Sequence, residues 1–227
     1  MIGSWKNAYL KHCHEICIYE RSLFITSTAF DSILAFDLDQ KRFHWAMQIT
    51  MQNYKFKPTI FNPEGEDGPL MLNKLHVNNV ACSKHGMYVS GLKTGGMLHF
   101  NGSKMHMAVE LPEGTHNAQP FRDGVLFNDS NADALRYAGR GEGAEDRAMR
   151  VPRFDDEQLQ YFSEDTSGVA RPSFARGLCV LSDTVVAGGS SPSTVTLYDL
   201  AANEQILSVN LTKDVRNAIH GLEVWPF

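Results

Sequence analysis

The residues most capable of chemistry are four histidines and one arginine that recur at the start of short apolar runs. They are His14, His76, His116, Arg176 and His220. Polar side chains stand beside several of them, namely Glu15, Asn78, Asn79, Asn117 and Gln119. Imidazole, guanidinium, carboxylate and amide groups in one repeated sequence context indicate a polar site assembled from distant parts of the chain.

One chemistry open to these residues is metal binding, because neutral imidazole suits zinc, iron, copper or nickel. The candidate ligands of a divalent transition metal are His14, His76, His116 and His220. A bound metal of this kind activates water or dioxygen, which predicts a metal-dependent lyase or oxygenase. Glu15 could orient an imidazole from behind. Arg176 argues against this interpretation, because a cation in the group repels the metal.

The second chemistry is the binding of a small polar or glycan-like ligand. Arg176 would act as a bidentate donor, and the histidines as donors that switch with pH. The candidate ligand-binding residues are His14, Glu15, His76, Asn78, His116, Asn117, Asp129, Arg176 and His220. A structural interpretation stands beside both chemistries, since polar residues at the start of inner strands can simply hydrogen-bond loop backbone.

The element that must position these residues is a repeated meander, seen most clearly from His14 to Leu38. There the runs HEICIYE, LFITSTAF and ILAFDL are separated by the polar pairs Arg21-Ser22 and Asp31-Ser32. The runs are five to eight residues long and rich in β-branched and aromatic residues, which is typical of strands. The run RFHWAMQI completes four antiparallel strands, and residues 4–10 are predicted to form a lone strand before them.

Related units begin near residues 76, 116 and 176, and a last opening strand is predicted near 220. Two insertions, at 50–75 and 152–174, lengthen the spacing between units, and a short helix is predicted within 155–162. Four-stranded repeats of about 40 residues predict an all-β fold, a β-propeller of four-stranded antiparallel blades. We expect a single domain over 1–227, in which the opening residues form a ring at the channel mouth and the insertions act as walls.

The two ends of the sequence bear on how such a propeller closes. The C-terminus supplies one inner strand and the N-terminus at most one outer strand, so two strands of the closing blade are missing. An open sheet edge of this kind favours aggregation. We therefore expect an N-terminally truncated propeller, with a parent of six or seven blades, over a closing blade of two strands.

Composition excludes several classes of partner. The net charge of −5 and the pI near 6.0 argue against nucleic-acid binding, which needs a basic face. No apolar run approaches the roughly 20 residues that span a bilayer, and the N-terminus lacks a signal-peptide core. The four cysteines show no metal-site spacing, which favours a reduced, cytoplasmic protein without a membrane partner. Composition says nothing of the oligomeric state.

The sequence resembles a group of uncharacterised bacterial propeller proteins catalogued under a domain of unknown function. Members share a His-Glu-Ile opening, a His-x-Asn opening and an Arg-Gly-Leu opening. The matching stretches here lie at 14–38, 75–91, 114–137 and 174–195. The resemblance implies a propeller with channel-facing histidine and arginine, and it implies no reaction.

The sequence therefore favours a propeller that binds a small polar or glycan-like ligand. The metal-dependent lyase or oxygenase is the first alternative. A protein-interaction scaffold that works through its outer faces is the second.

Overall fold

A computed structural model describes residues 3–162 and 171–225. The described residues form four antiparallel sheets, each with its strands in chain order. The chain is thus all-β and has the repeated blades of a β-propeller, as the sequence predicts. It divides into two compact units, residues 1–112 and 113–227, and each contains two blades. The number of blades in any larger parent stays a prediction.

The first unit contains blades 1 and 2. Blade 1 consists of β1 (Ile16–Tyr19), β2 (Ser22–Ser27), β3 (Ser32–Asp37), β4 (Arg42–Gln52) and β5 (Lys55–Phe61). Blade 2 consists of β6 (Val77–Ser83), β7 (Gly86–Gly91), β8 (Gly96–Phe100) and β9 (Met105–Glu110). One turn of 3-10 helix, Thr28–Phe30, connects β2 to β3.

The second unit contains blades 3 and 4. Blade 3 consists of β10 (Thr115–Phe121), β11 (Gly124–Asp129), β12 (Ala134–Ala138) and β13 (Asp146–Arg150). Blade 4 consists of β14 (Ala175–Val180), β15 (Val185–Ser190), β16 (Thr194–Asp199) and β17 (Glu204–Asn210). The helix expected within 155–162 is a single 3-10 turn, Asp156–Gln158, and part of the insertion at 152–174 lies outside the described residues.

Within each unit, apolar side chains of the strands pack between neighbouring blades. Blades 1 and 2 share one cluster, which includes Ile33, Met47, Val80, Val89 and Leu98. Blades 3 and 4 share another, which includes Leu126, Leu135, Leu178, Val186 and Tyr198. Each such side chain contributes about 1.5–3 kcal/mol when it leaves water, so these clusters fix how the opening strands meet.

The predicted strand at residues 4–10 is wrong, because the described residues of this segment carry no strand. A buried tyrosine anchors the segment instead. The Tyr9 hydroxyl donates to the carbonyl of Gly65 at 3.0 Å and accepts the Gly68 N–H at 2.8 Å. Its ring packs edge-on against Phe30 and Phe61. Asn7 Nδ2 also donates to the carbonyl of Pro63 at 2.9 Å, so side-chain contacts hold the segment, whereas a strand would need a ladder of backbone bonds.

The insertion at 50–75 is only partly irregular. β4 extends to Gln52, and β5 pairs with it from Lys55 to Phe61. Asn53 and Tyr54 both have positive φ, of 49° and 58°, which matches the tight two-residue turn that joins twisted strands. Pro58 is tolerated because β5 is an edge strand.

The strand predicted to open near His220 is not formed, since residues 215–225 carry no strand in the described part of the chain. The carbonyl of His220 accepts a hydrogen bond from Asn117 Nδ2 at 3.3 Å, a side-chain partner in place of a neighbouring strand. The segment passes close to β14, where a Cβ on Gly177 would lie 2.9 Å from the Ile219 side chain. Among the described residues there is also no helix with the length and apolar character to cross a membrane.

Candidate functional site

The four opening residues outside the C-terminal segment are equivalent in the repeat. A hydroxyl residue follows each of them after fourteen positions. The pairs are His14 with Thr28, His76 with Ser90, His116 with Ser130, and Arg176 with Ser190. All four hydroxyl residues are at least 99% buried. The repeat thus places a buried hydroxyl residue fourteen positions after four of the five predicted opening residues, a feature that the sequence contains and that our prediction missed.

In blade 1 this pair forms a chain of hydrogen bonds to blade 2. His14 Nδ1 lies 2.9 Å from the carbonyl oxygen of His12 and 2.8 Å from Thr28 Oγ1. Thr28 Oγ1 donates to the carbonyl of Val77, at 2.6 Å. Because carbonyl oxygens only accept hydrogen bonds, His14 Nδ1 must be protonated and act as the donor, and the Thr28 hydroxyl proton points to the Val77 carbonyl.

Blade 3 repeats the arrangement. His116 Nδ1 lies 3.0 Å from the carbonyl of Gly114 and 2.9 Å from Ser130 Oγ. Ser130 Oγ donates to the carbonyl of Ala175 in blade 4, at 2.8 Å. We call this arrangement, in which a histidine supports a hydroxyl that bonds the next blade, the latch. His14 and His116 therefore have a structural task, whatever else they do.

The latch also limits metal chemistry at these histidines. In both latches Nδ1 carries its proton toward oxygen atoms, so only Nε2 could ligate a metal. His76 stands beside His14, with ring centroids 5.2 Å apart, and its Nδ1 lies 3.1 Å from Asn73 Oδ1. Within the described ranges no group of three or more histidine, cysteine, aspartate or glutamate side chains is arranged to hold a metal ion.

The other predicted site residues of the first unit, Glu15 and Asn78, are buried within its blades. Glu15 is 4% exposed, and its Oε1 accepts the N–H of Ile16 at 3.1 Å. Thr26 Oγ1 accepts the backbone N–H groups of His14 and Glu15, each at 2.9 Å. Asn78 is fully buried in β6. None of these contacts involves the cavity described below.

Asn117 and Asp129 of the second unit also make structural contacts within and between its blades. Asn117 Oδ1 accepts the N–H of Gly177 at 2.8 Å and the amide of Asn128 at 3.0 Å. Asp129 accepts the N–H of Ala132 at 3.0 Å and pairs with Arg136 at 3.3 Å. These residues join β10, β11 and β14, so they position the neighbourhood of Arg176 and His220.

Arg176 and His220 come together at a cavity of about 50 Å³ in the second unit. The polar and aromatic side chains that line it are Arg171, Phe174, Arg176, Ser191, Arg216 and His220. The remaining lining residues are small and apolar, so the charge of the cavity comes from the arginines. Two of the five predicted opening residues therefore share a site.

The guanidinium of Arg176 lies over the ring of Phe174, with Cζ 4.1 Å from the ring centroid. Its Nε is buried and has no hydrogen-bond partner in the part of the chain that is described. Burial, and secondarily the nearby charge of Arg171, lower the pKa of Arg176 to about 10. The group stays charged at neutral pH, and no carboxylate among the described residues pairs with it.

Two further arginines face the same cavity, each held by a carboxylate. Arg171 pairs with Asp133 at 2.6 Å, and its guanidinium lies over the Phe174 ring, 4.7 Å from the centroid. Arg216 pairs with Asp214 at 2.7 Å. Our sequence prediction missed both arginines and Phe174. For Arg171 and Phe174 the available signal was the segment RPSFAR, residues 171–176, in which a phenylalanine stands between Arg171 and Arg176 at the end of an insertion. No comparable signal marks Arg216.

His220 lines the cavity together with Arg176. Burial, together with the charge of Arg176, lowers the pKa of His220 below its ordinary value. The imidazole is therefore neutral at pH 7. Neutral imidazole offers one hydrogen-bond donor and one acceptor. It can therefore form a hydrogen bond with a ligand hydroxyl or donate one to an anionic group.

Comparisons with known proteins address the fold. No protein-family model and no curated protein matches the sequence. A computationally designed protein, Ika8, aligns with a TM-score of 0.50 and 10% identity over 94% of this chain and 65% of its own. Two structures of AztD from Citrobacter koseri, one of them apo, align with TM-scores of 0.46 and 0.47 and 11% identity. These alignments cover 90% and 89% of this chain and 61% and 59% of the two AztD chains.

The chain thus spans less than two thirds of the length of each of these structures. Identity of 10% to Ika8 supports a common fold and nothing about activity. The class that emerges is an all-β protein with propeller blades and a cationic cavity in its second unit. The resemblance to a family of uncharacterised propeller proteins stays a prediction.

Proposed function

We propose that this protein binds a small polar ligand in the cavity lined by Arg176 and His220. The observation that carries the proposal is the state of Arg176. A guanidinium that is desolvated, stacked on an aromatic ring and unmatched by a described carboxylate costs folding free energy. Such a cost is typical of a group kept for binding, because it is recovered when a ligand supplies the missing acceptor.

The cavity has the features expected of a small-molecule site. Phe174 provides an apolar wall, and a few polar groups, among them the Ser191 hydroxyl and the His220 ring, can fix the orientation of a ligand. The side chain of Arg216 is 58% exposed, so the cavity meets solvent on that side. A glycan-like ligand fits this proposal through its hydroxyl groups.

The test is binding of a panel of small compounds to the full chain by calorimetry and thermal shift. The panel contains neutral compounds (glucose, lactamide) and charged ones (gluconate, lactate, inorganic phosphate). We expect at least one to bind saturably, and Arg176→Met to weaken it by about tenfold or more, the loss of one charge-assisted contact. If no compound binds, or if binding is indifferent to Arg176→Met, the proposal fails.

Arg122→Met is the matched control. Arg122 also lies over an aromatic ring, that of Phe121 at 5.2 Å, and it donates from Nε to the carbonyl of Asp183 at 3.0 Å. It belongs to the same unit and does not line the cavity. We expect Arg122→Met to leave ligand affinity unchanged. Equal losses in both variants would indicate a general effect of removing an arginine.

A further inference from the structure

The charged groups at the cavity do not balance. Among the described residues, three arginines face it, and two of them are paired: Arg171 with Asp133 and Arg216 with Asp214. Arg176 has no carboxylate partner there. With His220 neutral, the described site carries one uncompensated positive charge, which a single negative charge on a ligand would neutralise.

The carboxylate that pairs with Arg171 stands at a position that blade 1 also uses for a structural carboxylate. Asp133 occupies the position of Asp31 in blade 1, since each lies three residues after the latch hydroxyl and has a φ near 50° (49° and 51°). Asp31 accepts backbone N–H groups, those of Lys74 at 2.6 Å and Leu75 at 3.1 Å. In blade 3 the same carboxylate accepts the guanidinium of Arg171 at the cavity.

The hydrogen-bond donors favour a planar acceptor. The guanidinium of Arg176 presents its donors in a rigid fork. It lies over the Phe174 ring, with Cζ 4.1 Å from the ring centroid, and this contact restricts its movement. A carboxylate matches the fork with two oxygen atoms, whereas a neutral hydroxyl satisfies one donor at a time. The cavity volume of about 50 Å³ holds a carboxylate and a few more atoms, and the rest of a ligand would extend past Arg216.

We infer that the ligand bears a carboxylate, which enters the cavity and pairs with Arg176. This inference rests on the proposed function and specifies its ligand class. Arg171 and Arg216 remain held by Asp133 and Asp214 and add a positive field around the entering anion. His220 lies beside the anion and supplies a donor to it or to an adjacent hydroxyl.

The experiment compares acids with their neutral counterparts on the full chain in a buffer without chloride, because chloride competes for cationic sites. The pairs are lactate with lactamide and gluconate with glucose. We expect each acid to bind at least about tenfold more tightly than its partner, and Arg176→Met to abolish this preference. Arg176→Lys keeps the charge and loses the fork, so it should retain the preference with several-fold weaker binding.

Inorganic phosphate and a double variant complete the design. Phosphate that binds through Arg176 while both acids fail would overturn the carboxylate and leave the proposed function intact. Neutral compounds that bind as well as the acids, still through Arg176, would do the same. Glu164→Gln with Asp165→Asn removes two carboxylates that lie outside the described residues. A gain of about tenfold in acid affinity there would identify an internal carboxylate as the occupant and overturn an external ligand.

Discussion

The two blade openings of the second unit occupy equivalent positions and differ in what their side chains do. At His116 the imidazole supports Ser130, and the Ser130 hydroxyl bonds the next blade. At Arg176 the equivalent hydroxyl, that of Ser190, is buried without a hydrogen-bond partner among the described residues, and the guanidinium faces the cavity. One position of the repeat thus joins neighbouring blades at His116 and lines a cavity at Arg176.

The first prediction tests the difference between these two positions by removing the hydroxyl group of Ser130 or of Ser190. Ser130→Ala removes the group that joins His116 to the Ala175 carbonyl, so we expect the free energy of unfolding to fall by about 1–3 kcal/mol. Ser190→Ala removes a buried hydroxyl without a partner in the described chain, so stability should change by less than about 0.5 kcal/mol. Urea denaturation of the two variants at a common m-value measures both changes.

Ser90→Ala provides a second matched control, because the Ser90 hydroxyl is equally buried and also lacks a partner among the described residues. It should behave as Ser190→Ala does. A loss of stability in Ser90→Ala or Ser190→Ala equal to that of Ser130→Ala would show that the latch has no special role.

The second prediction compares two arginines of the second unit. Arg136 and Arg176 both lie over a phenylalanine ring and both bury an unpartnered Nε. Arg136, however, pairs with Asp129 at 3.3 Å and Asp146 at 3.1 Å. Arg136→Met leaves the buried Asp129 carboxylate without this cation, so we expect a loss of about 1–3 kcal/mol, whereas Arg176→Met should be neutral or stabilising by about 1 kcal/mol. Denaturation at low salt measures the difference.

A variant that gains stability and loses ligand affinity is the signature of a residue kept for function. Arg176→Met should show both effects, and Arg136→Met neither. If Arg176→Met destabilised the protein as much as Arg136→Met, Arg176 would have a structural partner, and the charge count at the cavity would be wrong.

The sequence predicted the frame well because strands, turns and repeats are local. Four of the five predicted blade openings, at His14, His76, His116 and Arg176, were located from a polar residue and the apolar run that follows it, and the structure begins the first strand of a blade within two residues of each. The Asn53–Tyr54 hairpin was missed because neither residue is glycine, although both adopt positive φ. The prediction of an opening strand at His220 was wrong because pairing depends on a neighbouring backbone, which the sequence pattern does not report.

The site was harder to predict, because its parts come from irregular segments. Arg176 and His220 could be found from the repeat. Arg171, Phe174 and Arg216 lie in connections without periodicity, and only the packing of the second unit brings them to the cavity. The roles of His14 and His116 also needed coordinates, since nothing in the sequence tells a latch histidine from a ligand-binding one.

The third prediction concerns pH and has the smallest expected effect. The pKa of His220 is lower in the folded protein than its ordinary value of 6.5, so below about pH 6.5 the unfolded chain binds more protons than the folded one. The contribution of this group to stability is therefore fully present above pH 6.5 and is lost as the pH falls toward the folded pKa. The free energy of unfolding of wild type, measured relative to His220→Gln, should be constant above pH 7 and decrease on acidification.

Arg176→Met sharpens this last measurement, because it removes one of the two causes of the shift. Burial is the larger cause and the charge of Arg176 the smaller, so the acid-induced loss should shrink in Arg176→Met and still persist. Arg171 and Arg216 face the same cavity, but Asp133 and Asp214 hold them, so they should add little to the effect. Complete disappearance of the loss in Arg176→Met would instead make charge repulsion the dominant cause, and His220 would then report directly on the unpaired cation beside it.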